Sequence, residues 1–274
     1  LNNLFRLKIN LKNNTPLIMG IVNVTPDSFS DQGRYAASEK AIEHAFKLIE
    51  DGADLLDIGG ESSRPGSAYV SLEEELKRVI PVIEALKSST TPISVDTTKP
   101  EVMQAAIQAG VSMINDINAL RAEGTFKIIA ESGIMVCLMH MKGIPKTMQD
   151  NPIYLDVVSE VRCFLQQRIQ AAQDKGITND QLVIDPGFGF GKTLQHNLEL
   201  FRSLDRFATL NVPVMVGISR KSMLGSITGN EVNHRIYSSI AAAVLAAGKG
   251  AKILRVHDVK ATKEAISVLN ALNQ

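Results

Sequence analysis

Carboxylates, amides and cations recur where short apolar runs of this chain stop, and these are residue types that bind polar heterocycles and oxyanions. The plainest case is LVIDPGFGFGKT, from Leu182 to Thr193. Leu182, Val183 and Ile184 suit a strand buried on both faces; the run ends in Asp185, and Pro186 with the glycines after it turns the chain into a loop. A carboxylate at the mouth of an apolar strand is costly unless something donates to it, and a ligand carrying N–H groups is one such donor. The other run ends give Asn23, Glu61, Asp96, Asn115, His140, Lys221, and Arg255 with His257. Asp96, Asp185 and Asn115 suit the amide and amino edge of a purine-like or pterin-like ring. Arg255, His257, Arg64, Arg220 and Lys221 supply positive charge for an oxyanion. An acidic half beside a cationic half predicts a substrate with both a heterocycle and a phosphate.

The glycines of the Asp185 loop name no cofactor by themselves. A phosphate-cradling P-loop requires glycine where Pro186 stands, and the dinucleotide fingerprint requires glycine where Lys192 stands. A capped aspartate at a tight strand-to-helix turn accounts for this stretch alone equally well. It does not account for such groups recurring at one expected strand end after another.

Those ends meet only if the strands are parallel and share a rim. After Thr15 and Pro16 the chain repeats a cycle: short apolar run, polar or glycine-bearing break, then a longer segment with apolar residues three and four apart. Eight such cycles in 274 residues, with no linker between them, predict one α/β domain over residues 1–274. The economical fold is a TIM (β/α)8 barrel, whose usual size is about 250 residues. An open doubly wound sheet is the alternative, but no glycine fingerprint follows the first strand. Ahead of the first cycle, Phe5, Leu7, Ile9 and Leu11 alternate with polar residues, which predicts a short N-terminal β-hairpin. The first helix of the repeat is expected near Ser38, leaving Thr25 to Ala37 and Glu61 to Val70 as long loops and candidate lids.

Lys plus Arg and Asp plus Glu balance at 29 each, so no global basic field exists to hold nucleic acid or an anionic membrane surface. A small-molecule partner is expected. The two cysteines, Cys137 and Cys163, form no CxxC and are read as packing residues; the opening LNNLFRLK lacks a secretory apolar core, and no run is long enough to span a bilayer. A reducing, cytoplasmic setting is the expectation.

Taken together, the motifs resemble the dihydropteroate synthase family. They are MGIVNVTPDSFSD (Met19 to Asp31), DIGGESSRPG (Asp57 to Gly66), SVDTTKPEV (Ser94 to Val102), IND (Ile114 to Asp116), CLMHM (Cys137 to Met141), DPGFGFGK (Asp185 to Lys192), GISRKSM (Gly217 to Met223) and RVHDV (Arg255 to Val259). They run in order over nearly the whole chain; each is short, and the combination is highly specific. The resemblance implies a TIM barrel that condenses 6-hydroxymethyl-7,8-dihydropterin diphosphate with 4-aminobenzoate, releasing pyrophosphate and giving 7,8-dihydropteroate for folate synthesis, with sulfonamides as competitors. By the same resemblance Asp96, Asn115, Asp185 and Lys221 hold the pterin, and Asp96, Asp185 and Lys221 form the catalytic set. Asn23 helps place Mg²⁺ on the diphosphate, with Asp31 completing that site from a lid. Ser63, Arg255 and His257 match the diphosphate site, and Val256 is counted among the substrate-binding residues. Phe29, Arg64, Pro65, Phe190 and Ser222 match positions that shape the 4-aminobenzoate pocket. A homodimer is also implied, and the small-residue helix from Ser238 to Ala247 would permit close helix packing, although a core helix would look the same.

Three departures keep every charge. Ser63 stands where the family usually has Thr, Thr98 where Ser is common, and Asn118 where Arg or a small residue is often seen. Two other readings share the barrel: a pterin-dependent methyltransferase module, which has no reason to keep a diphosphate site, and a non-catalytic pterin-binding paralogue, which should lose Lys221, Arg255 or a lid motif. SRKS, RVH and both loop motifs are intact and favour the synthase.

Overall fold

The computed structural model describes residues 3–11, 13, 15–24, 31–63 and 66–272, without the side chains of 5, 6, 9 and 31–36. Helix α1 (Asn3–Asn10) precedes a strictly alternating series: β1 (Leu17–Asn23), α2 (Asp31–Glu50), β2 (Leu55–Gly59), α3 (Leu72–Ala85), β3 (Ile93–Asp96), α4 (Pro100–Ala109), β4 (Met113–Asp116), α5 (Thr125–Ser132), β5 (Met135–Met139) and α6 (Val157–Gln173). It continues through β6 (Leu182–Asp185), the pair α7 (Leu194–Arg202) and α8 (Asp205–Ala208), β7 (Met215–Val216), the pair α9 (Ser222–Thr228) and α10 (Ile236–Gly248), β8 (Ile253–Val256) and α11 (Val259–Leu272).

All seven strand pairings are parallel, in the order β6-β5-β4-β3-β2-β1-β8-β7. One bridge, Ile184 to Val214, joins β6 to the start of β7 and closes the cylinder. The helices begin where local chemistry stops a loop. Ser71 accepts from the Glu74 N–H ahead of α3, Pro100 occupies the first turn of α4, and Thr193 caps α7.

Side chains alternate across each strand, so one parity faces the barrel interior and the other faces the helices. Leu17, Met19, Leu55, Met113, Met135, Cys137, Val183, Met215 and Ile253 fill the lower interior. Their neighbours Ile18, Leu56, Ile114, Val136, Ile184 and Leu254 pack in the layer between sheet and helices. Cys137 is therefore a packing residue as expected, whereas Cys163 is exposed on α6.

Two sequence expectations change. The N-terminal hairpin is instead helix α1. Leu4, Leu7 and Leu11 fall at spacings of three and four, and Leu7 and Leu11 join the lower interior cluster. The alternation of Phe5, Leu7, Ile9 and Leu11 mimicked a strand, but burial against a ready-made apolar floor selected the helical stripe. Helix α2 starts at Asp31, ahead of the expected Ser38, so the first loop is shorter than Thr25 to Ala37.

Leu7 is 1% exposed. Leu7→Ala should cost about 2–4 kcal/mol in urea unfolding. Lys8→Ala, which removes only the partly exposed pair with Asp180, should cost under about 1 kcal/mol; equal losses would show that α1 is not docked.

Candidate active site

At the upper end of the barrel the interior positions become polar. Asp57 of β2, Asp96 of β3, Asn115 of β4 and Arg255 of β8 are knitted together: Arg255 Nε donates to Asp57 Oδ2 at 2.6 Å and its Nη2 to Asp96 Oδ2 at 3.1 Å, while Asn115 Nδ2 donates to Asp57 Oδ2 at 2.9 Å. Asp57 is wholly buried and is the residue that reading strand ends misses, because it sits inside the apolar run LLDIGG. Its inward parity was the available signal. Asp57 Oδ1 and Asn115 Oδ1 are both buried and accept no hydrogen bond from the described residues.

Asp185 of β6 accepts from the Gly187 N–H at 2.7 Å through Oδ1. Its Oδ2 lies near Gly217, where an added Cβ would stand 3.9 Å from it and 3.8 Å from the Cβ of Arg255. Lys221, just before α9, donates to the carbonyl of Phe188 and places its ammonium 4.6 Å from the ring centre of Phe190. Ile117, Met139, Met141, Met148 and Phe190 form an apolar cluster beside these groups. The site thus offers acceptors, two cations and a flat apolar wall.

Burial sets the protonation behaviour. Asp96 is pushed up to about 7 by desolvation, against the pull of Arg255 and with help from Asp57 and Glu75. Asp185 is also raised by burial, opposed chiefly by Lys221. The Lys221 ammonium is pulled down to about 8 by burial despite Asp185.

The remaining expectations divide. His257 meets Ser219, whose Oγ lies 3.0 Å from Nδ1 and accepts the His257 N–H at 3.2 Å. Asn23 is exposed at the end of β1, and a Cβ added at Gly59 would meet its Oδ1 at 4.0 Å and the Asp96 Cβ at 3.6 Å. Ser222 is exposed at the first residue of α9, and Ser63 is partly buried. Phe29, Arg64 and Pro65 lie outside the described residues, as does the side chain of Asp31.

Four of the expected residues turn to other partners in this structure. His140 follows inward-facing Met139, so it faces outward: its ring lies 5.0 Å from that of Phe164 on α6, and Nδ1 is 2.9 Å from Lys192 Nζ. It is held neutral, pushed down to about 2 by burial and by Lys192. Val256 likewise has the outward parity of Leu254 and packs in the sheet–helix layer, so its side chain does not meet the polar group. Arg220 is spent on a fork to Asp258, at 3.1 Å and 2.5 Å. Glu61 pairs with Lys99 and accepts the Val70 N–H at 2.9 Å.

A cavity of about 660 Å³ opens beside the polar group, not over it, and Asp96 is common to both. Its walls come from the Glu61 loop (Ser62, Ser63, Tyr69), the turn after β3 (Thr97, Thr98, Lys99) and the apolar Ile117, Met141 and Ile144. Among the described residues no helix is long and apolar enough to cross a membrane.

Residues 19–257 match the family model described as pterin binding enzyme. The dihydropteroate synthase of Escherichia coli strain K12 is 50% identical over 257 residues, covering 93% of this chain and 91% of its own. A solved structure of Xanthomonas albilineans dihydropteroate synthase with 4-aminobenzoic acid is 52% identical, with a TM-score of 0.89 over 96% of this chain and 94% of the other. The Yersinia pestis dihydropteroate synthase in a sulfonamide drug complex is 46% identical, with a TM-score of 0.90 over 94% of each chain.

Because the folded protein holds the Asp96 proton more tightly than an unfolded chain does, the Asp96 contribution to stability declines as pH rises between 3.8 and about 7. Asp96→Asn removes that titration, while the other raised carboxylates remain in both proteins. The stability difference between variant and native protein, measured by urea unfolding, should shift steadily in the variant's favour across this window; a difference independent of pH would rule out the raised value.

Proposed function

The chain belongs to the dihydropteroate synthase family of pterin-binding enzymes, and from that premise we propose that it condenses 6-hydroxymethyl-7,8-dihydropterin diphosphate with 4-aminobenzoate, forming 7,8-dihydropteroate and pyrophosphate. The observation that carries this is the acceptor cluster of Asp57, Asp96, Asn115 and Asp185 beside Arg255 and Lys221 at one barrel mouth. Acceptors, with Lys221 beside them, suit the amino and amide edge of the pterin; Arg255 suits the diphosphate. The apolar wall with Phe190 supports a flat ring, and the adjoining cavity has room for an aromatic amine. Neither the methyltransferase nor the non-catalytic reading explains the family name carried by relatives that match this chain over nearly its full length.

The chemistry follows from where charge develops. As the C–O bond to the diphosphate breaks, the electron-rich dihydropterin delocalises the positive charge on its methylene. Asp96 and Asp185, buried in fixed positions, stabilise that cation without attacking it. Arg255 and His257 stabilise the departing pyrophosphate. The weakly basic aromatic amine then forms the C–N bond and gives up its proton, so the displacement is SN1-like. Asp185 acts as an electrostatic partner and as an anchor of the pterin, with Lys221 beside it.

Asn23 offers one hard oxygen at the mouth near Asp96, which fits a Mg²⁺ ion bound mainly through substrate phosphates. Mg²⁺ would supply neutralisation of the diphosphate charge. Sulfonamides would compete for the aromatic amine's place. A second copy of the chain is the proposed partner: α10 and α11 pack together and leave Tyr237 83%, Leu245 60%, Val268 60% and Leu272 81% exposed. A cytoplasmic location suits a cytosolic folate route.

Pyrophosphate release should require both substrates and match dihydropteroate formation mole for mole, with the product identified by mass. Pterin binding without coupled product would leave the pocket and remove the reaction. Asp185→Asn should weaken binding of 6-hydroxymethylpterin about 100-fold, the cost of a charged acceptor lost inside the site; unchanged affinity in calorimetry would take Asp185 out of this role.

A further inference from the structure

Lys99, just ahead of α4, makes contacts that the condensation mechanism does not use. Its ammonium sits between Glu61 Oε2, at 2.5 Å, and Glu75 Oε2 of α3, and lies 5.0 Å from the ring centre of Tyr69. Glu75 is 1% exposed, and its Oε1 is buried without a hydrogen bond from the described residues. Glu61 uses its other oxygen to accept the Val70 N–H. One lysine therefore touches both ends of a single loop: Glu61 at the start, and Tyr69 at the end, where Val70 is tied back to Glu61. Arg78 of α3 adds a bond to the carbonyl of Gly60 at 2.7 Å and pairs with Glu74 at 2.8 Å.

The loop gathered in this way forms one wall of the cavity beside Asp96 through Ser62, Ser63 and Tyr69. Two carboxylates and one ammonium, largely removed from water, are a poor source of net stability but a strong geometric constraint. We propose that Lys99 is a positioning residue: clamped between Glu61 and Glu75, it holds the loop from Glu61 to Val70 closed at its base, so that the cavity is shaped for the aromatic amine. This rests on the condensation proposed above, which assigns the cavity to that reactant. Lys99 has no bond to Asp57, Asn115 or Asp185 among the described residues, and it bears on Asp96 only through the charge of its partner Glu75, so its loss should weigh on the aromatic amine far more than on the pterin.

The test compares the native full chain with Lys99→Met, Lys99→Arg and the milder Glu61→Gln, which leaves Lys99 paired with Glu75. Lys99→Met should raise KM for 4-aminobenzoate about tenfold, equivalent to about 1.4 kcal/mol, while the Kd for 6-hydroxymethylpterin stays within about twofold. Glu61→Gln should move KM the same way by less, and Lys99→Arg, which can still fork between two carboxylates, should restore it. Hydrogen exchange at the Val70 amide should quicken in Lys99→Met and recover in Lys99→Arg. KM and Kd rising together, an unchanged KM, or an unchanged Val70 exchange rate would overturn the proposal. Native protein that makes no dihydropteroate would instead remove the condensation, and slow Val70 exchange relative to Lys99→Met would still report the clamp.

Discussion

A single guanidinium shared by two buried carboxylates sets the terms for this protein. Arg255 reaches across the barrel to Asp57 and Asp96, and Asn115 leans on the same Asp57 oxygen. Three strands and β8 are thereby coupled at the level where the interior turns polar. Removing one member strands the others in a medium that solvates them badly, so the group stands or falls together. It also leaves two acceptor oxygens, on Asp57 and Asn115, without donors among the described residues. Each such atom costs about 1–3 kcal/mol in a finished core, a debt that N–H groups of a bound heterocycle relieve.

The apolar architecture exists to make that arrangement tolerable. Lower in the barrel the inward positions are Leu, Met, Val, Ile and Cys137, floored by Leu7 of α1 and Leu11 just after it. Rigidity there allows charges higher up to be held apart at fixed distances. The loop after β6 shows the same economy. Lys192 is buried and makes no ion pair among the described residues, with Asp185 acting on it only through the field; it donates to the carbonyls of Gly187 at 2.8 Å and Phe190 at 3.1 Å and sits against His140. A Cβ at Gly187 would overlap the carbonyl oxygen of His140, which is why the turn there needs glycine.

Much of this was legible in the chain because strand, break and helix repeat with clear punctuation, and because Asp96, Asn115, Asp185 and Arg255 each stand at a strand end on the inward parity. Parity was also where reading by strand end alone failed. His140 and Val256 are one step out of phase and face the helices. Asp57 was hidden by apolar neighbours, since a buried carboxylate inside LLDIGG carries no local sign of its partners. Arg220 and Glu61 looked available because their partners, Asp258 and Lys99, lie 38 residues away along the chain in each case. Helix α1 was misread because its apolar residues fit period two as well as three and four, and only the floor it covers breaks the tie.

The cylinder is hooped unevenly. Neighbouring strands are laced by ladders everywhere except between β6 and β7, where the single bridge from Ile184 to Val214 completes the circuit. Asp185 lies just above that seam on one side, and Gly217 and Lys221 follow it on the other. On the proposed reading, a ring held by Asp185 and Lys221 would act as a rivet across the weakest joint of the barrel. Ligand binding across that seam would then also oppose its opening.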